Sequence, residues 1–72
     1  MVKATVTLDF SPMIARRHEL HISRLTLAAR TGIAYTTIWR WEKGRHVPSL
    51  PELILVARAL GRPMTNLFEA KS

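Results

Sequence analysis

Cysteine is absent from the sequence, which excludes a disulfide staple, a thiolate zinc site and a thiol nucleophile together. Acids are scarce too, five in 72 residues and only one of them aspartate, Asp9. No Ser-His-acid or paired-carboxylate arrangement stands at a recognisable spacing, so the expectation is a protein that is not an enzyme. His18, His21 and His46 lack the partner spacing of a metal site; no metal and no cofactor are expected, and the three read as surface residues. The apolar run around Leu53 to Leu60 falls far short of a membrane span. The start, Met1-Val2-Lys3-Ala4-Thr5, lacks the basic-then-apolar pattern of a secretory signal. A cytoplasmic chain with no membrane partner is therefore expected. Gly and Pro are few and hydrophobic residues make up 47%, enough for the core of one small folded domain.

What the chain does hold is arginine. Eight of its eleven cations are Arg, against five acids, for a net charge of +6. Arg16, Arg17, Arg24, Arg30, Arg40, Lys43 and Arg45 stand within one stretch, opposed only by Glu19 and Glu42. The planar guanidinium fork suits phosphates and guanine edges. A solvated charged face is the ordinary fate of such residues; a polyanionic partner is the reading favoured here.

Val2, Ala4, Val6, Leu8 and Phe10 alternate with Lys3, Thr5, Thr7 and Asp9, the pattern of a half-buried strand. Ser11-Pro12 predicts a cap and a first helix from about Pro12 to His21. Ser23 predicts a cap for a second helix, Arg24 to Thr31, ended by Gly32. A third runs from Tyr35 to about Lys43, ended by Gly44. Ser49 and Glu52 form a capping box for a fourth, Leu50 to Leu60, with Leu50, Leu53, Val56, Ala57 and Leu60 at core spacing and Gly61 at its end. A short fifth helix fits Met64 to Glu69. The expected organisation is an N-terminal strand arm over residues 1–11, a helical domain over 12–69 and a frayed tail over 70–72. The fold class is all-α.

No second strand pattern accompanies the first. An unpaired strand leaves its backbone groups unsatisfied, so Val2, Ala4, Val6, Leu8 and Phe10 are expected to pair with the same segment of a second subunit about a two-fold axis. The alternative is a free arm, with dimerisation through Leu55 and the helix-five region.

Two short helices joined at a glycine, ringed by arginine, suggest a helix-turn-helix. Ile33, Ile38 and Trp41 are spaced to face the core, leaving Tyr35, Thr36, Trp39, Arg40 and Lys43 on the other side. Arg40 can donate twice to guanine, and Thr36 or Trp39 can touch a thymine methyl. For Trp39 three placements stay open: on DNA, on the second helix, or on the surface.

Leu27-Ala28, Gly32, Trp41-Glu42-Lys43-Gly44 and Pro48-Ser49 at these spacings resemble the Cro/repressor (Xre-type) helix-turn-helix family, over about Ile14 to Glu69. The resemblance implies a five-helix lambda-repressor-like domain that reads bases with Tyr35, Thr36, Thr37 and Arg40. It implies phosphate contacts at Ser23, Arg24, Lys43, Arg45 and His46, and a structural ion pair between Arg17 and Glu42. Three positions depart from the family. Arg24 replaces the usual glutamine, favouring phosphate over a bridging hydrogen bond. Ala34 replaces the usual Ser or Thr cap, and Leu25 replaces a polar residue. The function implied is a homodimeric transcriptional regulator, a repressor that occludes a near-palindromic double-stranded DNA operator. The competing class is a protein-interaction or antitoxin-like module that binds a protein partner through the N-terminal strand or helix four.

Overall fold

The computed structural model describes residues 7–71; Val2, Ala4 and Val6 of the expected arm lie outside them. The elements in chain order are β1 (Thr7–Asp9), α1 (Ser11–Glu19), α2 (Arg24–Thr31), α3 (Tyr35–Glu42), α4 (Leu50–Leu60), a 3-10 turn (Met64–Asn66) and β2 (Glu69–Lys71).

Local chemistry sets most of these boundaries. The Ser23 hydroxyl accepts from the Thr26 amide at the start of α2. Gly32 ends that helix at φ +74° with open space around it, so the backbone conformation, and not crowding, calls for glycine there. The capping box of α4 is complete: Glu52 N–H donates to Ser49 Oγ, and Ser49 N–H donates to Glu52 Oε1. At α3 the cap residue is Ala34, with no side-chain hydrogen bond.

Phe10, Met13, Leu27, Ile38, Trp41, Leu53, Val56, Leu60 and Leu67 form the core, with Ile33, Ala28 and Phe68 packed against it. Burial of each large apolar side chain contributes about 1.5–3 kcal/mol. Trp41 is fully buried, and its indole N–H has no acceptor among the described residues, a cost of about 1–3 kcal/mol that the burial of the ring offsets.

Several expectations are corrected. β1 has a partner in its own chain: it pairs antiparallel with β2, Thr7 opposite Lys71, Leu8 opposite Ala70 and Asp9 opposite Glu69. Residues 70 and 71 are thus strand and not frayed tail. Leu8 packs on the chain's own core and Phe10 is buried in it, and among the described residues β1 uses one of its two edges, on β2. The fifth helix is one 3-10 turn after Pro63. The chain then straightens, Phe68 meets Phe10 at 5.8 Å between ring centroids, and Glu69–Lys71 closes the sheet. Four α-helices remain in the described residues. At α1, the cap residue is Phe10 and Ser11 is already helical; Ser11 gives its N–H and hydroxyl to Asp9 Oδ1 at 3.0 and 2.6 Å. Leu50, expected in the core, is 56% exposed, because it opens α4 a turn before that helix reaches the core.

Candidate nucleic-acid interface

The site is built around the exposed side of α3. Ile38 and Trp41 anchor that helix from beneath, both buried. Tyr35, Thr36 and Arg40 are exposed, Thr37 and Trp39 half-buried. The structure therefore presents Tyr35, Thr36 and Arg40 together outward and draws Thr37 partly back toward the core. Arg40 forms no salt bridge or side-chain hydrogen bond among the described residues, and neither do Lys43, Arg45, Arg30 and Arg58. The cations of α3 and its following loop are thus left without an acid.

Trp39 is half-buried, and its surroundings are set by the turn after α3. Gly44 sits at φ +71°, its N–H donates to the Trp41 carbonyl, and the Arg45 N–H donates back to the Arg40 carbonyl at 2.8 Å. This paired closure returns the residue after the glycine toward the last turn of the helix. Arg45 arrives over the Trp39 ring, 5.6 Å from its centroid, and the Lys43 ammonium lies 5.9 Å from the same centroid.

Behind this face lies the ion cluster that fixes α3. Arg17 donates through Nε to Glu42 Oε2 at 3.0 Å and through Nη2 to Oε1 at 3.2 Å, while its Nη1 donates to the Ile22 carbonyl. The expected Arg17–Glu42 pair is present, with side chains 7% and 1% exposed. A second guanidinium joins it: Arg24 Nε donates to Glu42 Oε1 at 2.7 Å. The Glu42 carboxylate first, and the Tyr35 hydroxyl second, push the Arg24 guanidinium further toward its charged form. Arg24 thus makes a bridging hydrogen bond, which the reading of it as a phosphate contact did not include. A buried carboxylate has more acceptor sites than one arginine fills, and Arg24 on the neighbouring helix fills another. Its position as the first residue of α2 was legible; the bridge to Glu42 was not, because it joins two helices.

Ser23 is engaged as well, accepting from the Thr26 N–H and donating to Thr26 Oγ1. His46 is exposed in the loop beside Arg45. Leu25 is 68% exposed beside Ser23 and Arg24, and Leu55 is 41% exposed on α4.

A helix-turn-helix family model matches residues 13–67. The chain belongs to the helix-turn-helix family. The resemblance read from the sequence is borne out. This helix-turn-helix chain is 48% identical over 46 residues to an uncharacterised HTH-type transcriptional regulator of Methanothermobacter thermautotrophicus, a match covering 64% of this chain and 67% of that protein. Its fold is similar to that of the transcriptional regulator VanUg, with a TM-score of 0.82 and 15% identity over 99% of this chain and 93% of the other. Among the described residues of this helix-turn-helix protein, no helix is long and apolar enough to cross a membrane.

Proposed function

We propose that this helix-turn-helix protein is a sequence-specific double-stranded DNA-binding transcriptional regulator. The observation that carries the reading is Arg40, exposed in the middle of α3 and unpaired among the described residues, with Tyr35 and Thr36 on the same side. In the major groove Arg40 donates twice to guanine O6 and N7, and Thr36 offers a methyl group to thymine. Thr37 contributes from the same turn. Lys43, Arg45 and His46 hold phosphate at one end of the helix. The first amides of α2, past Ser23, present their N–H groups and the positive end of the helix dipole to phosphate as well. Arg24 keeps free N–H groups there while its Nε serves Glu42.

The regulator acts as a homodimer on a near-palindromic operator and represses by occluding polymerase. The exposed apolar side chains Leu50, Ile54 and Leu55 of α4 support a dimer face on that helix, the alternative to one on the N-terminal strand. The same exposed leucines favour the second reading, a module that binds another protein through α4.

Selection of duplexes from a random pool, followed by shift assays with competitor DNA at rising salt, tests the proposal. Enrichment of one near-palindromic sequence supports it. Failure to retain any duplex, with a stoichiometric protein partner captured through α4, supports the second reading instead.

A further inference from the structure

We propose that Trp39 is a positioning residue that holds Lys43 and Arg45 in place for phosphate, and not a reader of bases. The inference rests on the DNA-binding reading and deepens it. Both cations lie within 6 Å of the indole centroid, the range over which a ring face attracts a cation. Two independent features of the backbone put them there. Lys43 follows Trp39 by four residues, so the helix itself stacks one above the other. Arg45 is returned by the closure at Gly44, whose paired hydrogen bonds to Trp41 and Arg40 fix where the next residue points. In closures of this kind an apolar contact commonly joins the residue after the glycine to the last full turn of the helix. Here that contact is made by a guanidinium on an indole.

The consequence concerns order. Lysine and arginine side chains lose much rotamer freedom when a phosphate immobilises them. Trp39 takes part of that loss before DNA arrives, leaving the N–H groups of both cations unsatisfied by any acid. The ring is half-buried and covered by two side chains, which also removes it from the set of surfaces free to meet a thymine methyl. Arg40, by contrast, touches neither the ring nor an acid and stays free to read.

The test compares wild type with Trp39→Leu, Trp39→Phe, Arg45→Gln and the Trp39→Leu/Arg45→Gln double variant on a selected duplex and a random one, across a range of salt. Trp39→Leu is expected to weaken both duplexes by the same factor, about tenfold, while Trp39→Phe, which keeps a ring, recovers most of it. Arg45→Gln should cost less in the Trp39→Leu background than alone. Gly44→Ala, strained by its positive φ with open space around it, should reproduce the loss without touching the ring. In the DNA-free protein, the side-chain protons of Arg45 should show an upfield ring-current shift that disappears in Trp39→Leu. A loss confined to the selected duplex and relieved by changing one base pair overturns the proposal and makes Trp39 a base reader. Strictly additive losses, or an absent ring-current shift, overturn it too. Wild type binding neither duplex overturns the DNA reading and this proposal with it; wild type and Trp39→Leu binding equally well overturns this proposal alone.

Discussion

Arg17 and Glu42 meet fork to fork, with two nitrogens of one guanidinium on the two oxygens of one carboxylate at 3.0 and 3.2 Å. The pair ties α1 to the end of α3, and Arg17 also holds the Ile22 carbonyl in the connection to α2. Replacing Glu42 by Gln leaves a buried arginine without its counter-charge. The expected cost is about 3–5 kcal/mol, a large share of the stability of a small domain. Denaturant unfolding checks it: an unchanged midpoint in Glu42→Gln would contradict the buried pair. Arg24→Gln should cost about 1 kcal/mol or less, because its side chain is a third exposed and Glu42 keeps Arg17.

Arg40→Ala and Arg45→Ala should separate in kind. Loss of Arg40 should cost about 1–3 kcal/mol on the selected duplex and relax the sequence requirement at one position. Loss of Arg45 should weaken all duplexes alike and lower the salt slope by roughly one or less. Equal weakening of selected and random DNA by Arg40→Ala would instead make Arg40 a phosphate contact.

Ala34 caps α3 without a side-chain acceptor, so Ala34→Ser should add roughly 1 kcal/mol. For a domain of this size that raises the melting temperature by about 4–8 °C. Calorimetry on the two proteins is sufficient, and an unchanged or lowered transition would show that the α3 amides are already satisfied.

Acid should loosen the strand pair. Asp9 accepts from Ser11 and forms an ion pair with Lys71 Nζ at 2.9 Å; the Ser11 hydroxyl first, and the Lys71 ammonium next, lower its pKa from 3.8 to about 2. The shift is downward, so the stabilisation is present in full above the unfolded value and is lost as pH falls through the folded one. The window is therefore from about pH 4 down to about 2. Protection factors of the β1–β2 amides, taken against the intrinsic exchange rate at each pH, should fall through that window, and in Asp9→Asn they should lose that fall.

The helices were legible where their signals are local. Ser23 and Gly32 bracket α2, and the Ser49–Glu52 box and Gly61 bracket α4, each within a turn of the boundary it sets. The pairing of β1 was not legible, because Glu69-Ala70-Lys71 is too short to display an alternation and its partner lies at the other end of the sequence. The site divides in the same way. Exposure of Tyr35, Thr36 and Arg40 followed from helical spacing against Ile38 and Trp41. The second arginine on Glu42 depends on how α2 crosses α3, which no spacing within either helix encodes. Gly44 did announce a turn, but its effect on Arg45 emerges only once the closing hydrogen bonds are in place.

The β1–β2 pair joins residues 64 positions apart, Thr7 and Lys71, whereas α2 and α3 are joined by a turn of three residues. Closing so long a loop costs chain entropy before its few hydrogen bonds form, and that ordering governs rates. The helical core is expected to assemble first, with the strand pair closing onto it late. Changes at Asp9 or Lys71 should therefore fall on the unfolding rate and leave the refolding rate nearly untouched.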